Sequence, residues 1–211
     1  MRIFSWYVII LSLPISHAKA QDDSVRYHLP EVTITGTRSE ESLLEVPLAV
    51  SIIDQHQFSN TRGAGLNEAL WSVPGVIAQS RAGGTDIRLT IRGFGARGAG
   101  ERSNAGTSRG IKVLVNGIPE TEPDGRTAFD MIDAHISHRI EVVRSNASAL
   151  YGNASGGVVN IRTHTQFTQP YAEVGSSFGS FGFIKSYLNT GTILGENSRI
   201  VANLSHNKSS G

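Results

Sequence analysis

The spacing of hydrophobic positions changes repeatedly along this chain, and the changes mark different kinds of segment. Residues 4–13 form a short, mostly apolar run, well under the roughly 20 residues that a bilayer-spanning helix needs. Residues 29–36 then alternate: Val32 and Ile34 are interleaved with Thr33 and Thr35 between Pro30 and Gly36, which predicts a lone extended strand. Residues 37–45 are a charged linker, and residues 47–53 return to a strand pattern. Asp54 is a fitting N-cap for one helical turn through Phe58. Leu66, Ala69 and Leu70 share one side of a second short helix over 66–71, stopped before Pro74 and Gly75. Short apolar runs at 76–79, 88–92, 112–115, 140–144 and 158–162 predict strands separated by glycine-rich loops.

From Tyr171 the texture differs. Residues 171–178, 182–192 and 198–207 are longer, rich in Ser, Thr, Asn and aromatics, and punctuated by glycine turns. In the last stretch Ile200, Ala202 and Leu204 alternate with Val201, Asn203 and Ser205. One apolar and one mostly polar face suits a strand of a transmembrane barrel, and a soluble β-meander has the same pattern.

Composition narrows the setting. Met1 and Arg2 precede the first apolar run, and Ala18-Lys19-Ala20 fits the small-x-small rule, so residues 1–20 read as an export signal cleaved after Ala20. Those residues hold Arg2 and Lys19 and no acid, which leaves 17 basic against 18 acidic side chains. A near-neutral chain lends no support to nucleic-acid binding. With 23 glycines and 18% charged residues, a turn-rich β protein is favoured over disorder. The absence of cysteine excludes disulfides and thiolate metal sites.

Two chemical motifs fail on their context. Gly93-Phe94-Gly95-Ala96-Arg97-Gly98 matches a dinucleotide fingerprint, but loop residues follow it where a phosphate-binding helix should open. His135 and His138, with Asp130 and Asp133 upstream, suggest a metal cluster, yet they run straight into a strand, and a solvated turn is the expectation. Nothing stands out for catalysis, so no enzyme, cofactor or metal is expected.

Four strings occur in order: Leu89-Thr90-Ile91-Arg92-Gly93-Phe94-Gly95; Val113-Leu114-Val115-Asn116-Gly117-Ile118-Pro119, with Pro123-Asp124-Gly125 after it; Ile140-Glu141-Val142-Val143-Arg144; and Ser148-Ala149-Leu150-Tyr151-Gly152-Asn153-Ala154-Ser155-Gly156-Gly157-Val158-Val159-Asn160-Ile161. Each alone is weak. Together, behind an export signal, they resemble the plug domain of TonB-dependent outer-membrane receptors. One departure is Ser145-Asn146, where the family pattern has Gly-Pro.

The resemblance implies an α+β plug, a small mixed sheet with short helices and long loops, followed by the first strands of a truncated barrel of about 22 strands. It divides the chain into a signal peptide (1–20), a periplasmic extension (21–43), the plug (44–163) and the start of the barrel (164–211). Within the extension, Pro30, Glu31, Val32, Thr33, Ile34 and Thr35 resemble the TonB box, the segment that a TonB–ExbB–ExbD complex of the inner membrane engages by β-augmentation. Arg92 and Arg144 occupy positions where the family's arginines pair with glutamates of the barrel wall. Arg97, Arg102, Arg109 and Lys112, together with Asp124, are candidates for meeting a ligand, with a solvated loop as the alternative. The implied activity is energy-coupled uptake, most commonly of a ferric siderophore. The motif combination is also similar to an enterobacterial receptor for pyrroloquinoline quinone, which makes that cofactor a second candidate cargo. A periplasmic or surface binding module without transport is the alternative of a different class. Only residues 21–28 precede Leu29, too few for the extra domain of signalling members of the family, so uptake without transcription signalling is expected.

Overall fold

The computed structural model describes residues 33–35, 41–42, 44–59, 61–63, 65–80, 87–95, 109–121, 127–195 and 198–210. In chain order the elements are β1 (Thr33–Ile34), β2 (Glu41–Ser42), β3 (Val50–Asp54), α1 (Gln55–Phe58), α2 (Asn67–Leu70), β4 (Val76–Ser80), β5 (Ile87–Ile91) and β6 (Phe94–Gly95). They continue with β7 (Ile111–Val115), β8 (Ile118–Pro119), β9 (Ser137–Val143), α3 (Ser148–Tyr151), β10 (Gly157–Thr163), β11 (Tyr171–Gly179), β12 (Phe183–Leu194) and β13 (Ser198–Lys208). Two 3-10 turns, Phe129–Met131 and Ala134–Ile136, lead into β9.

A five-stranded sheet in the order β3-β9-β10-β7-β8 forms the backbone of the main body. Its β10–β7 pair is parallel and the other pairs are antiparallel. Parallel strands are covered on both faces, and β10 obeys: Val158, Val159, Asn160 and Ile161 are all buried. On one face Ile140, Val142, Val159 and Ile161 pack with Leu66 and Leu70 of the α2 segment and with Ile87, Leu89 and Ile91 of β5. The sequence Ile87-Arg88-Leu89-Thr90-Ile91 places every second side chain inward. Each such fully buried aliphatic contributes about 1.5–3 kcal/mol relative to exposure. On the opposite face Leu114, Val143 and Val158 form a smaller apolar patch with Ala147 and Ala154. Along β9 and β10 that face then turns polar, through the Glu141–Asn160 pair to the Arg139–Arg162 pair.

Gly157 opens β10 at φ 145°, and a Cβ there would lie 2.1 Å from the Val143 carbonyl oxygen, so the tight approach of β10 to β9 excludes any side chain.

A second sheet, β4-β5-β6, caps the core, and β11-β12-β13 forms a separate antiparallel sheet of longer strands. The latter is inverted in polarity. Ala172, Val174 and Phe178 of β11, Ile184 and Leu188 of β12, and Ala202 and Leu204 of β13 share its outer face by register, and Val174, Phe178 and Leu204 are at least 70% exposed. The inner face carries Glu173, Lys185, Tyr187 and Asn189, with Lys185 and Asn189 buried against the main body.

Two expectations change, and one element is added. The segment at 33–34 is not a lone strand: Thr33 and Ile34 pair antiparallel with Ser42 and Glu41, which puts β2 inside the stretch read as a linker. The turn around His135 is not solvated, because His135 is 8% exposed and packed under β12. The one-turn helix α3 is too short to show a period. It forms where Asn146 Oδ1 accepts from the Ser148 N–H at 3.0 Å.

Candidate functional site

The end of β1 lies over the polar stretch of the five-stranded sheet. Thr35 donates its backbone N–H (3.0 Å) and its hydroxyl (3.1 Å) to Oε2 of Glu141. The same hydroxyl oxygen accepts from Asn160 Nδ2 at 3.1 Å and from Arg162 Nη1 at 3.2 Å. Asn160 Nδ2 also reaches Glu141 Oε2 at 3.4 Å, and Arg139 Nε lies 3.6 Å from Glu141 Oε1. Glu141 sits in the centre of β9 at 1% exposure. An open polar cavity of about 260 Å³ adjoins this cluster, lined by Thr35, Asp54, His138, Arg139, Glu141 and Arg162 among others. At its rim His138 stacks on His164 with centroids 4.7 Å apart, and His164 stacks in turn on Tyr171. Burial pushes the His138 imidazole below its usual value. His164 and Arg139 add to that direction and Asp54 opposes it.

Arg92 and Arg144 meet at the other end of the sheet. Arg92 adopts φ 51° in the turn after β5, and its Nη1 donates to the Arg144 carbonyl oxygen at 3.3 Å. Arg144 Nη1 donates to the Pro74 carbonyl oxygen at 3.2 Å, and its N–H to that of Ala49 at 2.7 Å. The arginines therefore tie three loops to one another. Arg144 Nε is buried and has no hydrogen-bond partner among the described residues.

A third contact joins the inverted sheet to the main body, and no sequence motif announced it. Lys185 of β12, 3% exposed, places Nζ 2.6 Å from Asp133 Oδ1 and also donates to the Gly63 carbonyl oxygen. Gly63 has φ 62°, and a Cβ there would overlap the His135 ring at 1.8 Å. Asn189 donates to the His135 carbonyl oxygen at 3.0 Å, and Tyr187 packs on the His135 ring. Burial alone raises the pKa of Asp133, but hydrogen bonds from His135, Lys185 and Ser205 outweigh it and hold the carboxyl well below the usual range. The sequence pattern singles out Asp133 only as a candidate metal ligand, and Lys185 not at all. Among the described residues no group of three or more potential ligands is placed to hold a metal ion.

Of the other candidates, Arg109 is exposed in the turn before β7 and Lys112 is half-buried within β7. Pro30, Glu31, Val32, Arg97, Arg102 and Asp124 lie outside the described residues. Gly93 falls in a turn and Phe94–Gly95 form β6, so the dinucleotide-like string opens on a hairpin.

The family model of the TonB-dependent receptor plug domain matches residues 42–158. The chain belongs to that family.

Among curated relatives, a vitamin B12 transporter of Vibrio vulnificus is 27% identical over 192 residues, covering 87% of this chain and 29% of the relative. The hemin receptor of Yersinia pestis is 28% identical, covering 74% and 22%. The ferrichrome outer membrane transporter and phage receptor of Escherichia coli is 30% identical, covering 66% and 17%. The chain thus spans less than a third of these relatives' lengths. Among solved structures, the ferric preacinetobactin receptor of Acinetobacter baumannii matches the fold with a TM-score of 0.64 at 18% identity, covering 83% of this chain and 25% of that one. The alcaligin outer membrane receptor of Bordetella pertussis matches with a TM-score of 0.61 at 19% identity, covering 82% and 29%.

Within this plug the departure at Ser145-Asn146 is accommodated by hydrogen bonding. Ser145 Oγ accepts from the Ala49 N–H at 3.0 Å, and the Asn146 side chain caps the turn into α3.

Proposed function

We propose that this chain is the front part of an energy-coupled importer of the outer membrane, with a plug over 44–163 and the start of a transmembrane barrel of about 22 strands over 164–211. The observation that carries the reading is the inverted sheet β11-β12-β13, apolar outward and polar inward, laid against the plug. Such a face suits lipid on one side and a filled lumen on the other. An N-terminal export signal over 1–20 delivers the protein to the periplasm. The barrel moves a ligand and makes or breaks no covalent bond in it.

The segment from Pro30 to Thr35 is the TonB box. Within its described part, residues 33–35, Thr33–Ile34 is extended and pairs as a strand, the form in which β-augmentation by a TonB partner proceeds. The inner-membrane ExbB–ExbD motor supplies the pull. Arg92 and Arg144 bear on acidic groups of the barrel wall, and the Arg144 Nε, which has no hydrogen-bond partner among the described residues, supports a further acceptor there. Arg97, Arg102, Arg109 and Asp124 are the plug's contribution to ligand binding. The cargo is a ferric siderophore, supported by the ferrichrome transporter among the relatives and the ferric receptors among the structures.

In the full-length receptor, Ile34→Pro removes an N–H and fixes φ within the pairing segment. Uptake should fall to the level of a TonB-deficient strain while surface binding of cargo persists. Normal uptake by this variant would remove residues 29–36 from the coupling role. Growth of a deletion strain on ferric siderophores, hemin, vitamin B12 and pyrroloquinoline quinone then sorts the cargo. A defect confined to one of the last three overturns the siderophore assignment. Unimpaired growth on all of them points to a binding module instead.

A further inference from the structure

The connector 164–170 joins the five-stranded sheet to β11, and it is held differently on its two sides. Toward the longer sheet it is pinned by packing and by groups that keep their protonation state across the range in which histidine titrates. Phe167 is 7% exposed, and a Cβ at Gly191 would lie 2.4 Å from the Tyr171 ring and 2.8 Å from the Phe167 ring, so β12 touches both. Arg199 Nε donates to the Phe167 carbonyl oxygen at 2.9 Å, and the Tyr171 hydroxyl donates to that of His164 at 3.3 Å. Toward the main body the contact is a pair of imidazoles. His164 stacks on His138 of β9 with centroids 4.7 Å apart and planes 16° from parallel. His138 also stands between two spaces. It lines the polar cavity of about 260 Å³, together with Arg139 and Arg162, and the open cavity of about 470 Å³ between α1 and Glu173 of β11.

We propose that His138 and His164 form a proton-operated clasp across this joint: the rings stay stacked while at most one of them is charged, part when both are, and on parting join the two cavities along the inner face of β11. Stacked rings at this distance accept one proton without repulsion, and a second brings like charges face to face. The charged groups around the pair are Asp54 at the end of β3, His56 of α1, Arg139 and Glu141 of β9, Arg162 of β10 and Glu173 of β11. Two of the carboxylates are already engaged. Glu141 accepts from Thr35 and Asn160, and Glu173 accepts from Gln55 at 3.4 Å and from the Tyr187 hydroxyl at 3.2 Å. Burial, His164 and Arg139 disfavour a proton on His138, and Asp54 favours one. Both rings reach the polar cavity, so protons arrive without prior opening. Because the other side of the connector is pinned, the histidine pair is where the joint yields. The clasp needs only this joint and stands apart from the uptake reading.

The test is a titration of the protein from about pH 8 to about pH 5, the range in which histidine changes charge. Hydrogen exchange at the imidazole C2 positions follows each ring, and amide exchange across 162–172 follows the joint, with β5 in the same sample as the reference for intrinsic pH dependence. In the wild type the rings should titrate in two steps. Exchange across 162–172 should quicken relative to β5 by about tenfold at the second step, the factor that corresponds to one unit of coupling between two sites. His164→Phe and His138→Phe each keep a ring for stacking and remove one charge. Each should abolish the acid response, and the remaining histidine should titrate in one step. If one replacement disturbs the joint at every pH, the other decides. A wild type without acid-linked acceleration overturns the clasp, and so does an acceleration that persists in the phenylalanine variants.

Discussion

The plug sheet and the sheet β11-β12-β13 obey the same two-residue side-chain period and arrive at opposite solvation. In the plug, β5 turns Ile87, Leu89 and Ile91 into a core from which water is excluded, with none of the three above 2% exposure. In the longer sheet the apolar residues Val174, Phe178 and Leu204 face out, while Lys185 and Asn189 are buried. The difference teaches that burial in this protein is not a proxy for hydrophobicity. A lysine is among its most enclosed side chains because the surface it meets supplies Asp133 and a backbone carbonyl. Polar residues join the two regions, and apolar residues stabilise each region on its own side.

The largest effect is expected where the regions touch. Lys185→Met strips Asp133 of its cation and should destabilise the plug–sheet contact by about 3–5 kcal/mol, the usual cost of removing one partner of a buried pair. Denaturant unfolding of the protein measures it, and adding Asp133→Asn should restore part of the loss. A wild-type midpoint in Lys185→Met would show that the contact carries no energy.

Next comes the contrast between the two apolar sets. Leu66→Ala, at a position with 0% exposure, should cost about 2–5 kcal/mol. Leu204→Ala, at 70% exposure, should change stability by less than about 0.5 kcal/mol in detergent. Equal costs at the two positions would break the comparison, since they would mean that the outer face is packed against protein.

The smallest effect concerns His138, which sits where the plug meets the start of β11. Its folded pKa is depressed, so the unfolded chain takes up the proton first as pH falls. Stability should therefore decline as pH drops below the ordinary histidine value of 6.5 toward the lower folded value. Above 6.5 the imidazole is neutral in both states and contributes no slope. His164, Asp54 and Arg139 are the other groups acting on it. His138→Gln should flatten this part of the profile. An identical slope in wild type and variant would exclude His138 as its source.

Alternation, turn residues and four ordered strings were enough to place most plug strands, the two short helices at Asp54 and Leu66, and the three long strands after Tyr171, because these depend on local spacing and backbone freedom. They also marked Arg92 and Arg144, as members of motifs. Other features depended on partners distant in sequence. Thr35 and Glu141 are 106 residues apart, and Lys185 and Asp133 are 52 apart. Nothing local distinguishes those side chains from solvated ones. The early start of β9 at Ser137 has the same origin: Ser137 and Arg139 are polar, yet Thr163, Arg162 and Asp54 lie opposite them and complete the ladder. Sequence pattern determined which segments are strands and which way their faces alternate. Only the tertiary structure decided which buried charges are satisfied, because a carboxylate or an ammonium is tolerated inside a protein only when another segment brings its counterpart.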